Sequence, residues 1–284
     1  MESLLSPREV AVALGVSESS VKRWVDLGEL AALRTAGGHR RITRAEAVRF
    51  ARTSGVRVAK PQLLSEVEVR VEDAALDEGQ RSAAFHRALL EDDRPRAISL
   101  LVGAFLGGTT IAALCDGPMR FALEAIGELW RHDSKGILQE HRATDTCLLA
   151  LGVLRGALPS PAFDAPVALG SAGPSDPYLL PSIMCAAVLA EVGFRDVNLG
   201  PNTPVATKVT ALREYEPRLV WHTASVEGGE LPQLAAGIAE CGLRPAPRLV
   251  AGGRAFAGQA LPVGVEALSS MRELHAFARG LLPA

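Results

Sequence analysis

The feature that most constrains the fold is a regular alternation of strand-like and helical segments from residue 166 onward. The apolar runs are PVALG, DVNLG, RLVWHTAS, RLVAGG and VEAL, and helical stretches lie between or after them at 181–193, 204–215, 229–241 and 270–281. Such alternation predicts a parallel sheet with helices on both faces. Sheets of this kind bind ligands beyond the carboxyl ends of their strands. The loops there, GSAGPSD, LGPNTP, TASVEGG and AGGRAF, are small and polar, as the close approach of a bulky ligand requires.

Two segments of different character precede this alternation. Residues 81–160 are rich in Ala and Leu, and breaks at Asp92-Asp93, Gly107-Gly108 and Ser134–Gly136 divide them into about four helices, which predicts a small bundle. Residues 61–80 carry six acids and one arginine without a helical period, which predicts a linker.

The first sixty residues have the signals of a helix-turn-helix. Ser6 and Glu9 form a capping box around Pro7, Gly15 ends that helix, and Ser17 caps the next one. The segment LAALRTAGGHRRI then predicts a β-hairpin wing with Gly37-Gly38 at its tip. The sequence therefore predicts a multidomain α and α/β protein, with a winged helix-turn-helix head (1–60), a linker (61–80), a four-helix bundle (81–160) and a Rossmann-like parallel-sheet domain (161–284).

Charge is concentrated in the head. Residues 1–60 hold eleven Lys and Arg against six Asp and Glu, a net charge of +5, which leaves −7 for the remainder of a chain whose total is −2. A basic module on an acidic body indicates contact with a polyanion, here double-stranded DNA. The second helix and the wing supply the candidate DNA-binding residues, which are Ser19, Lys22, Arg23, Arg34, His39, Arg40 and Arg41.

A single head of this size contacts few base pairs, so self-association into a homo-oligomer is expected. The sequence has no apolar run of membrane-spanning length and no secretory signal layout, which predicts a cytoplasmic protein without a membrane partner. The cysteines are far apart, which predicts reduced core thiols rather than a metal site; they are Cys115, Cys147, Cys185 and Cys241.

Two resemblances extend this interpretation. The segment SVKRWVDLGELAALRTAGGHRRI closely resembles the DNA-binding head of MerR-like and excisionase-like regulators, in which the wing tip GGHRR contacts the DNA backbone. The order of head, helical bundle and α/β domain resembles the cobalamin-dependent light-sensing repressors of the CarH/LitR type. That resemblance implies a sensor whose oligomerisation, controlled by ligand or light, changes operator occupancy.

The resemblance to these repressors rests on particular residues. LWRHDSKGILQEHRAT places Trp130, Glu140 and His141 in a W-x9-EH pattern that matches the segment over the upper face of the corrin ring. In the α/β half, LGPNTP and the pair Gly252-Gly253 after a strand match further signatures. Thr223 and Ser225 lie near the small-residue motif that accommodates the nucleotide tail in that family. The resemblance thus implies cofactor contacts from Gly200, Thr203, Thr223, Ser225, Gly252 and Gly253.

The sequence departs from that family at the lower-ligand motif D-x-H-x-x-G. Asp176 is present, but Tyr178 replaces the histidine that binds cobalt and Pro181 replaces the glycine, so no metal ligand is predicted. Three outcomes stay open: cobalamin without a protein lower ligand, another tetrapyrrole with His222, His141 or His132 as axial donor, or no cofactor at all. The ordinary role of His222, at the end of a strand, is that of a hydrogen-bonded core residue.

Other classes of function compete with the regulator. One is a protein-interaction adaptor whose cofactor-free α/β domain binds another regulatory protein. The other is a corrinoid-carrying enzyme subunit, which needs the missing histidine and has no DNA-binding head. Ser175 and Asp176 make no catalytic triad without a placed histidine. We therefore expect that the chain is not an enzyme.

Overall fold

The computed structural model describes residues 4–129, 134–226 and 230–282. The chain forms two compact units, Met1–Ser160 and Pro161–Ala284. Within the described residues, no helix is long and apolar enough to cross a bilayer.

The N-terminal unit begins with a winged helix-turn-helix. Its elements in chain order are β1 (Leu4–Leu5), α1 (Pro7–Leu14), α2 (Glu18–Asp26), β2 (Leu33–Arg34), β3 (Arg40–Thr43) and α3 (Arg44–Ser54). The three strands form an antiparallel sheet in the order β1-β3-β2. The wing is the β2–β3 hairpin, with the turn at Thr35–Gly38 closed by a bond from the Gly38 amide to the Thr35 carbonyl.

The predicted caps of the head are confirmed. The Ser6 hydroxyl accepts from the Glu9 amide while the Glu9 carboxylate accepts from the Ser6 amide. Gly15 ends α1 in the left-handed conformation, and the Ser17 side chain accepts from the Ser20 amide at the start of α2. These bonds satisfy amides that have no partner inside a helix, so the two helices begin where the sequence predicts.

Residues 61–80 are folded against the rest of the unit. They contain two 3-10 turns, Pro61–Leu63 and Val71–Ala75, and Leu64 is buried. The buried Asp73 carboxylate accepts two hydrogen bonds from the Arg96 guanidinium. This stretch therefore has fixed contacts with the bundle that follows.

The bundle contains α4 (Glu78–Leu90), α5 (Arg94–Leu106), α6 (Ile111–Leu114), α7 (Arg120–Leu129) and α8 (Ser134–Gly156). A single π-helical turn, Cys115–Met119, joins α6 to α7. Pro118 lies inside that turn, and since proline has no N–H it interrupts the α-helical ladder there. The predicted breaks at 92–93 and 107–108 are confirmed, but the one at Ser134–Gly136 is wrong, because α8 begins at Ser134 and runs through Gly136.

The C-terminal unit is a doubly wound α/β domain. Its elements are β4 (Val167–Ala172), α9 (Leu180–Val192), β5 (Arg195–Asn198), α10 (Val205–Tyr215), β6 (Leu219–Thr223), α11 (Leu231–Glu240), β7 (Arg248–Gly252), β8 (Val265–Ala267) and α12 (Met271–Leu281). The five strands are parallel in the order β5-β4-β6-β7-β8. The predicted alternation and fold class are confirmed.

The two faces of this sheet carry different helices. Leu169, Val220 and Leu249 pack in one cluster with Leu212 of α10 and Leu234 of α11. On the other face α12 packs against α9. Because strand side chains alternate between faces, residues two positions along the strands from this cluster also face α10 and α11.

Candidate functional site

The first candidate surface is the outer face of α2 and the wing. Val21 is buried and Trp24 packs on Phe50 with ring centroids 4.7 Å apart. The opposite face of α2 therefore points to solvent. Of the predicted DNA-binding residues, five are exposed, and they are Ser19, Lys22, Arg23, Arg34 and His39.

Ion pairs distinguish the cations on this surface. Lys22 is paired with Glu18 at 2.7 Å, one turn earlier on α2. Arg40 bonds to Asp26 and to the Lys22 carbonyl, so it ties the wing to α2. Among the described residues, Arg23 and Arg34 have no acidic partner. Arg41 is half-buried, and its guanidinium donates to the Arg40 carbonyl at 3.1 Å.

The second candidate surface is the carboxyl edge of the α/β sheet, where Asp176 holds three loops together. One carboxylate oxygen accepts from the Tyr178 amide at 3.0 Å, and the other accepts from the Ser225 amide after β6. The Asp176 carbonyl accepts from the Asn202 amide after β5 at 3.0 Å. Asp176 is 1% exposed. Its carboxylate therefore binds backbone amides and stabilises these loops.

The same edge contains a buried polar pair that the sequence did not predict. Nζ of Lys208, on α10, lies 2.9 Å from Nδ1 of His222, on β6. Lys208 is 2% exposed and His222 3% exposed. Burial lowers the pKa of Lys208 to about 8, and burial together with the Lys208 charge lowers the pKa of His222 to about 3.

Two buried hydroxyl groups lie near the carboxyl ends of the strands in this region. Ser171 and Thr223 are buried near the carboxyl ends of β4 and β6, and their hydroxyl oxygens have no hydrogen-bond partner in the described part of the chain. Ser171 is the register partner of His222. On the other face of the sheet, the Trp221 indole donates to Ser182 on α9 at 3.0 Å. The Trp221 indole also occupies the space that a Cβ on Gly170 of β4 would need.

The other residues assigned by resemblance belong to both units of the chain. Trp130 and His132 are outside the described residues, whereas Glu140 and the exposed His141 lie on α8 of the N-terminal unit. In the C-terminal unit, Thr203 bonds to the Leu199 and Gly200 carbonyls of its own loop. A Cβ on Gly253 would stand 2.3 Å from the Ala224 carbonyl oxygen, so close backbone approach requires glycine there. Its neighbour Gly252 would likewise meet the Leu268 carbonyl.

Sequence reasoning missed Lys208 and Ser171. The one available signal was a charged residue in the first turn of a helix after the LGPNTP loop, a position that a solvated lysine also occupies. Ser171 lies inside the run PVALGSA, where a hydroxyl carries no periodic signal. His222 was predicted as a hydrogen-bonded core histidine, and its bond to Lys208 agrees with that role.

Comparisons with known proteins found a sequence match at the N-terminus and a structural match over much of the chain. Residues 4–53 match the family described as a helix-turn-helix domain. The monomethylamine corrinoid protein of Methanosarcina barkeri shares the fold with a TM-score of 0.51 and 15% identity, over 70% of this chain and 96% of that chain. No curated protein matches in sequence. The chain thus combines a helix-turn-helix domain with the fold of a corrinoid protein.

Two further solved structures are similar only at low TM-scores. A methanol:cobalamin methyltransferase complex from Methanosarcina barkeri gives 0.38, with 15% identity over 81% of this chain and 91% of that chain. A cobalamin-binding protein from Desulfitobacterium hafniense DCB-2 gives 0.36, with 14% identity over 71% and 98%.

The donor set at the carboxyl edge does not fit a cobalt corrinoid held by a protein imidazole. Tyr178, at the position that the resemblance assigns to the ligand histidine, is 44% exposed, and a phenol with a reference pKa near 10 is a poor cobalt ligand. Because the Lys208 ammonium donates to Nδ1 of His222, the neutral ring carries its proton on Nε2 and offers no lone pair to a metal. Among the described residues, no group of three or more His, Cys, Asp or Glu is arranged to hold a metal ion.

Proposed function

We propose that this chain is a cytoplasmic, DNA-binding transcriptional regulator. The observation that carries the proposal is the exposed, acid-free placement of Arg23 on α2 and Arg34 on the wing, within the described residues of a helix-turn-helix domain. A helix of this kind enters the major groove, where arginine hydrogen-bonds guanine, and a wing contacts the adjacent phosphates. Ser19, exposed in the first turn of α2, is close enough along the helix to contact the same base pairs.

The other predicted DNA-binding residues take different parts in this proposal. Arg40 is a positioning residue, because its bonds to Asp26 and the Lys22 carbonyl set the angle between the wing and α2. Lys22 contacts DNA only if its pairing with Glu18 is exchanged for a phosphate. His39, exposed near the wing tip, lies where a backbone contact is expected.

The C-terminal domain has a regulatory part in the same proposal. We propose that the C-terminal domain responds to a ligand or mediates self-association. The regulator would be of the MerR-like and CarH/LitR type, but without cobalt binding by a protein histidine. A regulator explains the helix-turn-helix domain at residues 4–53, which a corrinoid-carrying enzyme subunit does not need. The replacement of the ligand histidine by Tyr178 favours a domain that works without protein-ligated cobalt.

Fluorescence anisotropy with labelled promoter fragments tests DNA binding. We expect Arg23→Ala to weaken binding about tenfold or more and to relax the preference for guanine at the base pair that it contacts. The matched control is Arg57→Ala, which removes the same charge from an exposed position outside α2 and the wing. Equal affinity of both variants and the wild type would contradict the proposal and favour a protein-binding adaptor.

Sedimentation of the full chain with and without its DNA tests self-association. A head that contacts few base pairs binds tightly only in two or more copies. We expect at least two chains on each operator fragment. A stable one-to-one complex would contradict this part of the proposal.

A further inference from the structure

The strand order of the C-terminal domain defines one crevice. From β4 the chain passes to β5 on one side and then crosses to β6 on the other side. Open α/β sheets bind ligands at this reversal, beyond the carboxyl ends of the two strands that flank it. Ser171 of β4 and His222 of β6 are register partners at that position, and both face α10 and α11.

The four connections around this crevice each bring one residue to the imidazole or the amine. Gly173 follows β4, and a Cβ built on it would stand 3.5 Å from Cε1 and 3.6 Å from Nε2 of His222. Lys208 comes from the first turns of α10 and Phe256 follows β7, with its ring centroid 5.9 Å from that of His222. Glu230, just before α11, is the acid whose charge acts on Lys208.

The groups that face this crevice are mostly hydrogen-bond donors. An ammonium has no acceptor, so Lys208 donates to Nδ1 and leaves the ring proton of neutral His222 on Nε2. Nε2 is the ring nitrogen beneath Gly173, where the absent side chain leaves room. The fully buried Ser171 hydroxyl has no partner among the described residues. A buried polar atom without a partner requires an explanation, and a ligand is one.

We propose that the Nε2 proton of His222 and the Ser171 hydroxyl bind a small oxyanion, a carboxylate or a phosphate, as an effector of the C-terminal domain, with Lys208 as the positioning residue that fixes the imidazole tautomer. The Nε2 proton and the Ser171 hydroxyl are two donors from register partners on neighbouring strands, and the Lys208 ammonium on Nδ1 adds positive charge from the other side of the ring. Glu230 offsets part of the ammonium charge, so the ligand is held by hydrogen bonds more than by net charge. This inference goes beyond the proposed function and does not depend on DNA binding.

Calorimetric titration of the full chain without DNA tests the site. The probes are acetate and inorganic phosphate at constant ionic strength, with neutral acetamide as a third arm. We expect saturable binding of at least one oxyanion and none of acetamide. Ser171→Ala removes an unpartnered hydroxyl, so it is expected to fold normally and to bind the oxyanion about tenfold more weakly.

Two further variants locate the binding. Gly173→Ala places a methyl group at ordinary contact distance from the imidazole, so the domain is expected to fold while the space beside Nε2 is blocked and binding is lost. Arg213→Met removes an exposed cation from the same helix as Lys208 and is expected to leave binding unchanged. Binding of acetamide alone, binding of no probe, or binding unchanged in both Ser171→Ala and Gly173→Ala would overturn the proposal. Since no DNA is present, none of these results bears on the DNA-binding head.

Discussion

Nζ of Lys208 and Nδ1 of His222 lie 2.9 Å apart in the interior of the C-terminal domain, and both side chains are almost fully buried. Burial disfavours the charged form of each, and Glu230 is the acid that partly offsets this for Lys208. The folded pKa values, about 8 and about 3, are both below the ordinary values of 10.5 and 6.5. Proton uptake by this pair therefore favours the unfolded chain.

The two lowered pKa values make the stability of the folded chain depend on pH in two windows. Between pH 6.5 and 3 the unfolded chain protonates His222 and the folded chain does not, so we expect stability to fall as pH falls through this window. Between pH 8 and 10.5 the folded chain has released the Lys208 proton and the unfolded chain has not. We therefore expect the contribution of Lys208 to stability to rise with pH there.

Urea unfolding from pH 4 to 10 measures this dependence, with Lys208→Met as the comparison. The variant lacks the titrating amine, so its unfolding free energy is expected to gain less than that of the wild type between pH 8 and 10. It also removes the positive charge beside His222, which weakens the loss in acid. Parallel curves for the two proteins across both windows would contradict the lowered pKa values of Lys208 and His222.

Arg52 fixes the DNA-binding head to the helical bundle within the N-terminal unit. Its guanidinium, on α3, donates to the Phe105 carbonyl and, at 2.8 Å, to the Thr109 carbonyl, and it lies 3.8 Å from the centroid of the Phe105 ring. These carbonyls belong to the end of α5 and the loop after it. We expect Arg52→Ala to lower the unfolding free energy by about 2–3 kcal/mol.

Hydrogen exchange separates this role from a general loss of charge. In Arg52→Ala, the amides of α3 and of residues 105–109 are expected to exchange faster than in the wild type. Arg52→Lys keeps the charge but loses the planar guanidinium that stacks on the Phe105 ring, so an intermediate result is expected. Arg57→Ala, an exposed control in the same head, should leave the exchange unchanged. Identical protection in all four proteins would rule out the anchoring role.

Much of this fold follows from local signals in the sequence. The helix predicted at 181–193 is observed at Leu180–Val192, and all five predicted strands form, because hydrophobic periodicity and flanking turn residues are properties of neighbouring residues. The capping residues Ser6 and Ser17 were predictable for the same reason. The shift at Ser134 arises because polar residues and glycine after α7 indicate a break but not on which side of them the next helix begins.

The site was less predictable because its contacts are distant in sequence. Asp176 and Ser225 are 49 residues apart, and Lys208 and His222 are 14 apart on different elements. Which face of a helix becomes buried, and against which strand, depends on the strand order, which no local pattern specifies. A lysine in the first turns of a helix is ordinarily solvated, so the burial of Lys208 could be recognised only from the folded chain.

The Asp176 carboxylate is expected to make a large contribution to the stability of the loops, because it accepts hydrogen bonds from two backbone amides. Asp176→Ala leaves the amides of Tyr178 and Ser225 without their acceptor, and we expect a loss of about 2–4 kcal/mol in unfolding free energy. Asp176→Asn retains one carbonyl oxygen and is expected to lose about half of that. Asp164→Asn, at an exposed position of the same unit, is the control. Faster exchange of the Ser225 amide in both Asp176 variants, and not in the control, is the expected signature.

Tyr178 occupies the loop position that the resemblance assigns to a cobalt-binding histidine. Since Tyr178 is a poor cobalt donor and the bond from Lys208 leaves the ring proton of His222 on Nε2, hydroxocobalamin added to the wild type is not expected to show the spectrum of a histidine-ligated corrinoid. Absorbance after gel filtration measures this directly. Tyr178→His places an imidazole at this half-exposed position of the loop, so a shifted spectrum is expected only in that variant. A histidine-type spectrum in the wild type would contradict the assignment and direct attention to His141 and His132.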